Sequence, residues 1–168
     1  MIPLPASLGG TGDLAGWTLQ DARHTATWNS GIGSATYGGR WNSIGRHVIY
    51  AALDPATAIL EVAVHKGFRV LNTVAHDLHS FTIVDPRQVH VVQPGDVPNP
   101  HWLHPTPPNP DQQAFGDQLI DAHPYVLVPS AVSRHSWNLL VNVTTALPLM
   151  TRVQSERFAL DPRLRAHP

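Results

Sequence analysis

The 168-residue chain contains no cysteine, a single lysine (Lys66) and two glutamates, Glu61 and Glu156. Without thiols there is no disulfide framework, no thiolate metal cluster and no cysteine nucleophile, which fits a reducing compartment, and a cytoplasmic location is expected. Charged residues make up 14% of the chain, well below the roughly 25% of an average domain. With a formal net charge of -1 there is no basic field to draw a phosphate backbone, so no nucleic-acid partner is expected. No apolar run approaches the roughly 20 residues of a membrane span, and the opening MIPLPASLGG lacks the basic-then-apolar pattern of a signal peptide. The common catalytic signatures are missing too: no G-x-S-x-G, no H-E-x-x-H, and no Walker lysine after Gly9 to Gly12. Any chemistry that needs a glutamate has two residues to choose from.

Proline (16) and histidine (11) are abundant, and the length suits one domain able to bury a core without staples. Residues 1–16 read as an irregular Gly- and Pro-rich arm, 17–160 as the folded domain and 161–168 as a polar tail. Strands are expected at Trp17 to Ala22, His47 to Leu53, Ser80 to Val84, Gln88 to Val92, Tyr125 to Val128 and Leu139 to Val143. Gly31, Gly33, Gly38 and Gly39 read as a loop leading to Arg40, Trp41 and Asn42. Asp54 and Pro55 start a helix that Gly67 stops, with an apolar stripe of Ala56, Ile59, Leu60, Ala63 and Val64. Thr57, Glu61 and His65 form a neighbouring stripe, so Glu61 sits beside the buried face. A segment with seven prolines, Pro94 to Pro110, is an ordered loop or a lid, and Gln112 to Ala122 a short helix. Strands outnumber helices without sustained alternation, which predicts a single α+β domain.

His76 with His79, and His101 with His104, have a spacing a metal could use, but neither pair has a second cluster, so no metal site is expected. What remains is a constellation: Gly38-Gly39-Arg40-Trp41-Asn42, then Tyr50 on a strand, then Glu61 on the following helix. An arginine forks onto a carboxylate or a diphosphate, and a tyrosine offers a flat face with a polar tip. A glutamate at the flank of an apolar stripe binds a sugar hydroxyl or stabilises a cationic transition state. The same residues also allow plain structural roles, with Arg40 paired to an acid, Tyr50 in the core and Glu61 solvated.

The run W-x-L-x-x-A-R-H from Trp17, then Y-G-G-R-W-N-x-x-G-x-x-V-I-Y-A-A from Tyr37, then A-x-A-I-L-E-V-A-V-H from Ala56 resembles the RES domain, the toxin half of bacterial Xre–RES toxin–antitoxin pairs. V-L-V-P-S-A-V from Val126 to Val132, with Asn138 and Asn142 beyond it, is similar to the family's late motif. The resemblance implies an ADP-ribosyltransferase-like RES fold with a mostly antiparallel sheet and few helices. It implies NAD as substrate without a metal, cleaved by hydrolysis or phosphorolysis or used to modify a protein, and growth arrest until an Xre-type antitoxin binds. It leaves room for a homo-oligomer within that complex.

Carried over, Arg40 would hold the diphosphate or the nicotinamide ribose, with Trp41 and Asn42 of the same motif at the NAD site. Tyr50 would pack on the nicotinamide or its ribose, and Glu61 would bind ribose hydroxyls and stabilise the oxocarbenium ion. Ser130 would line the pocket, with Asn138 a further residue of that kind. The chain departs from the family at Thr18, where an arginine usually follows the aromatic residue. That departure implies weaker NAD binding, a shift of the work to Arg23, or a module that binds without turnover.

Overall fold

A computed structural model describes residues 8–9, 11–104, 107–161 and 163. Half of the arm (residues 1–7 and 10) and most of the tail (162 and 164–168) lie outside the described residues. The strands are β1 (Leu14–Asp21), β2 (Val48–Ala52), β3 (His76–Ile83), β4 (Val89–Val91), β5 (Tyr125–Pro129), β6 (Trp137–Asn142) and β7 (Met150–Phe158). They form one sheet in the order β4-β5-β6-β2-β1-β3-β7, antiparallel except for the β4/β5 pair. The helices are α1 (Ile32–Tyr37), α2 (Pro55–Lys66), α3 (Phe68–Thr73), α4 (Pro110–Ala122) and α5 (Val143–Ala146). This is the α+β, mostly antiparallel architecture expected.

Alternation along the central strands sorts side chains onto two faces. Ile49, Ala51, Phe81, Ile83, Tyr125, Leu127, Leu139 and Val141 cluster on one face under Trp28 and Ala146. The other face carries two clusters. Trp17, Leu19, Ala52 and Leu78 meet Ala58 and Ala63 of α2, while Val48, Val126, Val128 and Leu140 meet Ile120 of α4 and Trp41. Two helices therefore share one face, with a gap between them. Gly116 of α4 lies so close to the Trp41 backbone that an added Cβ would stand 2.0 Å from its carbonyl oxygen.

Helix α2 forms where expected. Asp54 accepts from Thr57 N at 2.8 Å and from its hydroxyl at 2.7 Å, Pro55 fills the first turn, and Gly67 ends the helix at φ 82°. Its orientation differs from the expected stripe. Thr57, Ala58 and Ala63 are buried, whereas Ala56 and Val64 are exposed. The helix is turned so that the Thr57–Glu61 side faces inward, because the two alanines allow close approach to the sheet and polar partners await Glu61.

Other elements differ from the sequence reading as well. The glycine-rich loop contains α1, and its glycines serve the ends: Gly31 and Gly38 are left-handed at φ 63° and 68°. Strand β1 begins at Leu14, inside the arm, because Gly16 lets the Phe81 ring lie across it. β3 extends back to His76, α3 follows Gly67, and β7 occupies polar residues that show no apolar alternation. β7 is an edge strand whose residues are mostly exposed, so nothing in its burial required that pattern.

The His76/His79 pair is split by the pleat. His76 Nδ1 bonds the Val74 carbonyl oxygen at 2.7 Å, while His79 Nδ1 bonds Ser155 Oγ at 2.7 Å on the other face. The His101 and His104 rings lie 5.9 Å apart. Among the described residues no group of three or more His, Asp or Glu side chains is arranged to hold a metal. No helix among them is long and apolar enough to cross a membrane.

Two outcomes follow from this packing. Gly116→Ala drives a methyl into the Trp41 backbone and should lower stability by about 1–3 kcal/mol, read as a reduced urea midpoint at unchanged m-value. His79 is buried and stacked on Trp28 at 4.8 Å, and burial pushes its pKa below the ordinary 6.5. As pH falls through about 6.5 the unfolded chain takes up the proton first, so this contribution to stability is present above that pH and lost below it. His79→Phe keeps the stack and should flatten the fall in urea midpoint between about pH 7.5 and pH 5.

Candidate active site

The site begins with register. β2 and β6 pair Tyr50 with Leu140 and Ala52 with Asn138, placing Tyr50 and Asn138 diagonally on the face that carries α2 and α4. Such diagonal neighbours have Cβ atoms about 7 Å apart. Val128 lies opposite Asn138, and Ser130 follows one residue past the end of β5. Ala52 is small, so α2 reaches over this row and brings Glu61 down onto it.

Glu61 is held by two donors on one oxygen. Ser130 Oγ lies 3.0 Å and Asn138 Nδ2 2.6 Å from Oε1. Ser130 is fully buried, and its Oγ accepts from Val132 N at 3.2 Å and Ser133 N at 3.1 Å. With both lone pairs taken, its proton goes to Glu61. Among the described residues Oε2 has only the His65 imidazole, whose Nε2 stands 3.7 Å away one turn further along α2. The carboxylate is thus anchored through one oxygen and presents the other. Asn138 Oδ1 is buried and has no donor among the described residues.

Tyr50 is half-buried with a fixed hydroxyl, which accepts from Trp41 N at 3.1 Å and donates to Asn42 Oδ1 at 2.7 Å. Burial pushes its phenol well above the ordinary value, so the group is neutral. Gly39 is required here: a Cβ on it would stand 2.4 Å from the Tyr50 hydroxyl. Helix α4 clamps this loop. Gln113 Nε2 donates to the carbonyls of Gly39 (2.8 Å) and Asn42 (3.1 Å), and Asp117 takes the Ser43 N–H (3.1 Å) and the Arg46 guanidinium (2.9 Å).

Trp41 and Asn42 are both buried, and the Trp41 N–H and the Asn42 side chain hold the Tyr50 hydroxyl in place. Among the described residues Arg40 pairs with no acid. Its guanidinium donates to the carbonyls of Trp102 and His104, tying down the proline-rich segment. It also lines a hollow of about 300 Å³ with Gly39, His65, Asn99, Asn109 and Gln112. The structure thus brings Glu61, Ser130 and Asn138 into one bonded cluster, with Tyr50 beside it and Arg40 reached through His65.

Thr18 points elsewhere. Its partner across the β1/β3 ladder is His79, so it lies on the face opposite Glu61, and Arg23 is exposed with Nη2 2.6 Å from Asp21 Oδ2. An arginine at position 18 would not reach this cluster by the strand's own alternation. His65, Asn99 and Gln112 were not singled out as functional in the sequence. The i,i+4 spacing from Glu61 marks His65, whereas Asn99 and Gln112 carry no local signal because a proline-rich stretch folds them inward.

The arrangement suits stabilisation of a positively charged sugar carbon by a preorganised carboxylate, beside an aromatic face and an arginine. The RES domain family model matches residues 16–161. A protein named Toxin Res from Yersinia enterocolitica is 32% identical over 145 residues, covering 83% of this chain and 91% of that protein. The Prs ADP-ribosylating toxin of a Sphingobium species is 34% identical over 121 residues, covering 67% of this chain and 71% of that one. The toxin chain in the crystal structure of the M. tuberculosis MbcT–MbcA toxin–antitoxin complex superposes with a TM-score of 0.70 at 21% identity, over 87% of this chain and 84% of that one. Removing the Tyr50 hydroxyl tests the local geometry: Tyr50→Phe strands the Trp41 N–H, should cost about 1–3 kcal/mol, and should speed hydrogen exchange at the Trp41 amide.

Proposed function

Because the chain belongs to the RES-domain family, we propose that it is the toxin of a toxin–antitoxin pair and that it cleaves the nicotinamide–ribose bond of NAD. The observation that carries this reading is the Glu61 carboxylate, bound through Oε1 by Ser130 and Asn138 with Oε2 left open. Nicotinamide in NAD is a cationic ring and leaves with the bonding pair as a neutral molecule. The ribose carbon gains oxocarbenium character as it departs. A carboxylate fixed in place stabilises that charge without reorganising. Glu61 Oε2 takes this part, Ser130 and Asn138 position it, Tyr50 offers a neutral aromatic face and Arg40 a cation for the diphosphate.

An acceptor then bonds to the ribose carbon and loses a proton. With water the products are nicotinamide and ADP-ribose; with inorganic phosphate they are nicotinamide and ADP-ribose 1″-phosphate. Transfer to a protein side chain is a second reading, favoured by the likeness to the Prs ADP-ribosylating toxin. An antitoxin of the Xre type is the proposed partner, held in the cytoplasm and covering the cleft. Thr18 gives no support to a module without turnover, since it lies on the far face.

Purified protein mixed with NAD should release nicotinamide, measured by chromatography with and without phosphate; no release under either condition sinks the proposal unless labelled NAD marks a lysate protein. Glu61→Ala should lose about 100- to 1,000-fold in rate with an unchanged circular dichroism spectrum. Ser130→Ala should lose about 10-fold, the equivalent of one hydrogen bond.

A further inference from the structure

The two oxygens of the Glu61 carboxylate differ in what holds them. Oε1 takes Ser130 Oγ at 3.0 Å and Asn138 Nδ2 at 2.6 Å, while Oε2 meets, among the described residues, only the His65 imidazole. His65 Nε2 stands 3.7 Å from Oε2, too far for a hydrogen bond and near enough for a strong contact between charges. Both residues lie on α2 at i and i+4, the spacing at which side chains meet on a helix surface. The His65 side chain is 72% exposed, so protons reach it from solvent.

What His65 does to Glu61 depends on its charge. An imidazolium at this distance occupies Oε2 and offsets the negative field that a developing sugar cation needs. It also adds a like charge beside the ribose carbon that must become positive. A neutral imidazole does neither. Histidine is the side chain whose ordinary change of charge falls between about pH 5 and pH 8. Few other charges face it. Glu61 and Lys66 share its helix, and the Arg40 guanidinium lies on the wall of the same hollow. The proline-rich segment and the start of α4 line that hollow with the amides of Asn99, Asn109 and Gln112 and with two prolines, none of them charged.

We propose that His65 is a positioning residue for the cleavage: charged, it holds Glu61 Oε2 to itself, and neutral, it leaves that oxygen to the ribose. This rests on the reading of the chain as an NAD-cleaving enzyme and adds to it the control of its carboxylate. Unit charges about 4 Å apart shift an equilibrium by about 5-fold in bulk water and by several-hundred-fold near a protein surface. With the imidazole mostly in water, the lower part of that range applies, about 10-fold.

The test measures kcat and KM for nicotinamide release from NAD between about pH 8 and pH 5.5, with full-length protein and two variants at the exposed position. In wild type kcat should fall as the pH falls, with KM moving less. His65→Gln removes the charge, so it should flatten that fall and exceed wild type at pH 5.5 by about 10-fold. His65→Lys stays charged throughout this range and should be about 10-fold slower than wild type at pH 8. Circular dichroism checks that both variants are folded. A His65→Gln profile that follows wild type, or a Lys variant as fast as the Gln variant at pH 8, overturns the proposal. The Glu61 side-chain carboxyl carbon, followed by NMR over the same range, should move with the His65 titration in wild type and lose that step in His65→Gln. A carbon that ignores His65 overturns the coupling. A carbon that follows it in a protein that releases no nicotinamide keeps the coupling and removes the proposed activity.

Discussion

The site depends on one carboxylate being carried into the gap between a helix and a sheet. A carboxylate taken partly out of water loses solvation worth several kcal/mol, and hydrogen bonds to a charged group each return about 1.5–3 kcal/mol. Two donors on Glu61 Oε1 are therefore of the right size to hold it there. Those donors come from the end of β5 and from β6, while Glu61 comes from α2, so three separate chain segments meet at one oxygen. The rotation of α2 that buries Thr57 and exposes Val64 follows from the same contact, with Ala58 and Ala63 allowing the close approach.

A second set of close approaches supports the first. Gly116 seats α4 on the Trp41 backbone, and Gln113 and Asp117 hold the loop on either side of it. Trp41 N and Asn42 Oδ1 then fix the Tyr50 hydroxyl, while Gly39 leaves it room. The motif residues around Arg40 thus divide their work. Arg40 lines the hollow, while the Trp41 backbone and the Asn42 side chain hold the Tyr50 hydroxyl.

Much of the framework was legible along the chain because its causes are local. The Asp54 cap, Pro55 and Gly67 bound α2 by side-chain chemistry that acts within a few residues. Strands such as β5 and β6 announce themselves as short apolar runs. Elements lacking such causes escaped. α1 hides between glycines that mark its two ends, and β7 lies exposed at the sheet edge, where no burial imposes alternation. Gln112 and Asn99 gave no sign because a buried amide pair has no local pattern, only a partner 13 residues away.

By itself the sequence determined which groups were available: no thiol, one lysine, and a single glutamate placed next to a helix's apolar stripe. Spacing from Arg40 through Tyr50 to Glu61 carried the family likeness, since motif order survives without coordinates. Only the tertiary structure decided which way each group faces. Pleat alternation put Thr18 on the far side and Asn138 beneath Glu61. Packing left the buried Gln112 amide nitrogen without a partner among the described residues. Facing is a property of register and helix rotation, and both are set by contacts between segments far apart in the chain.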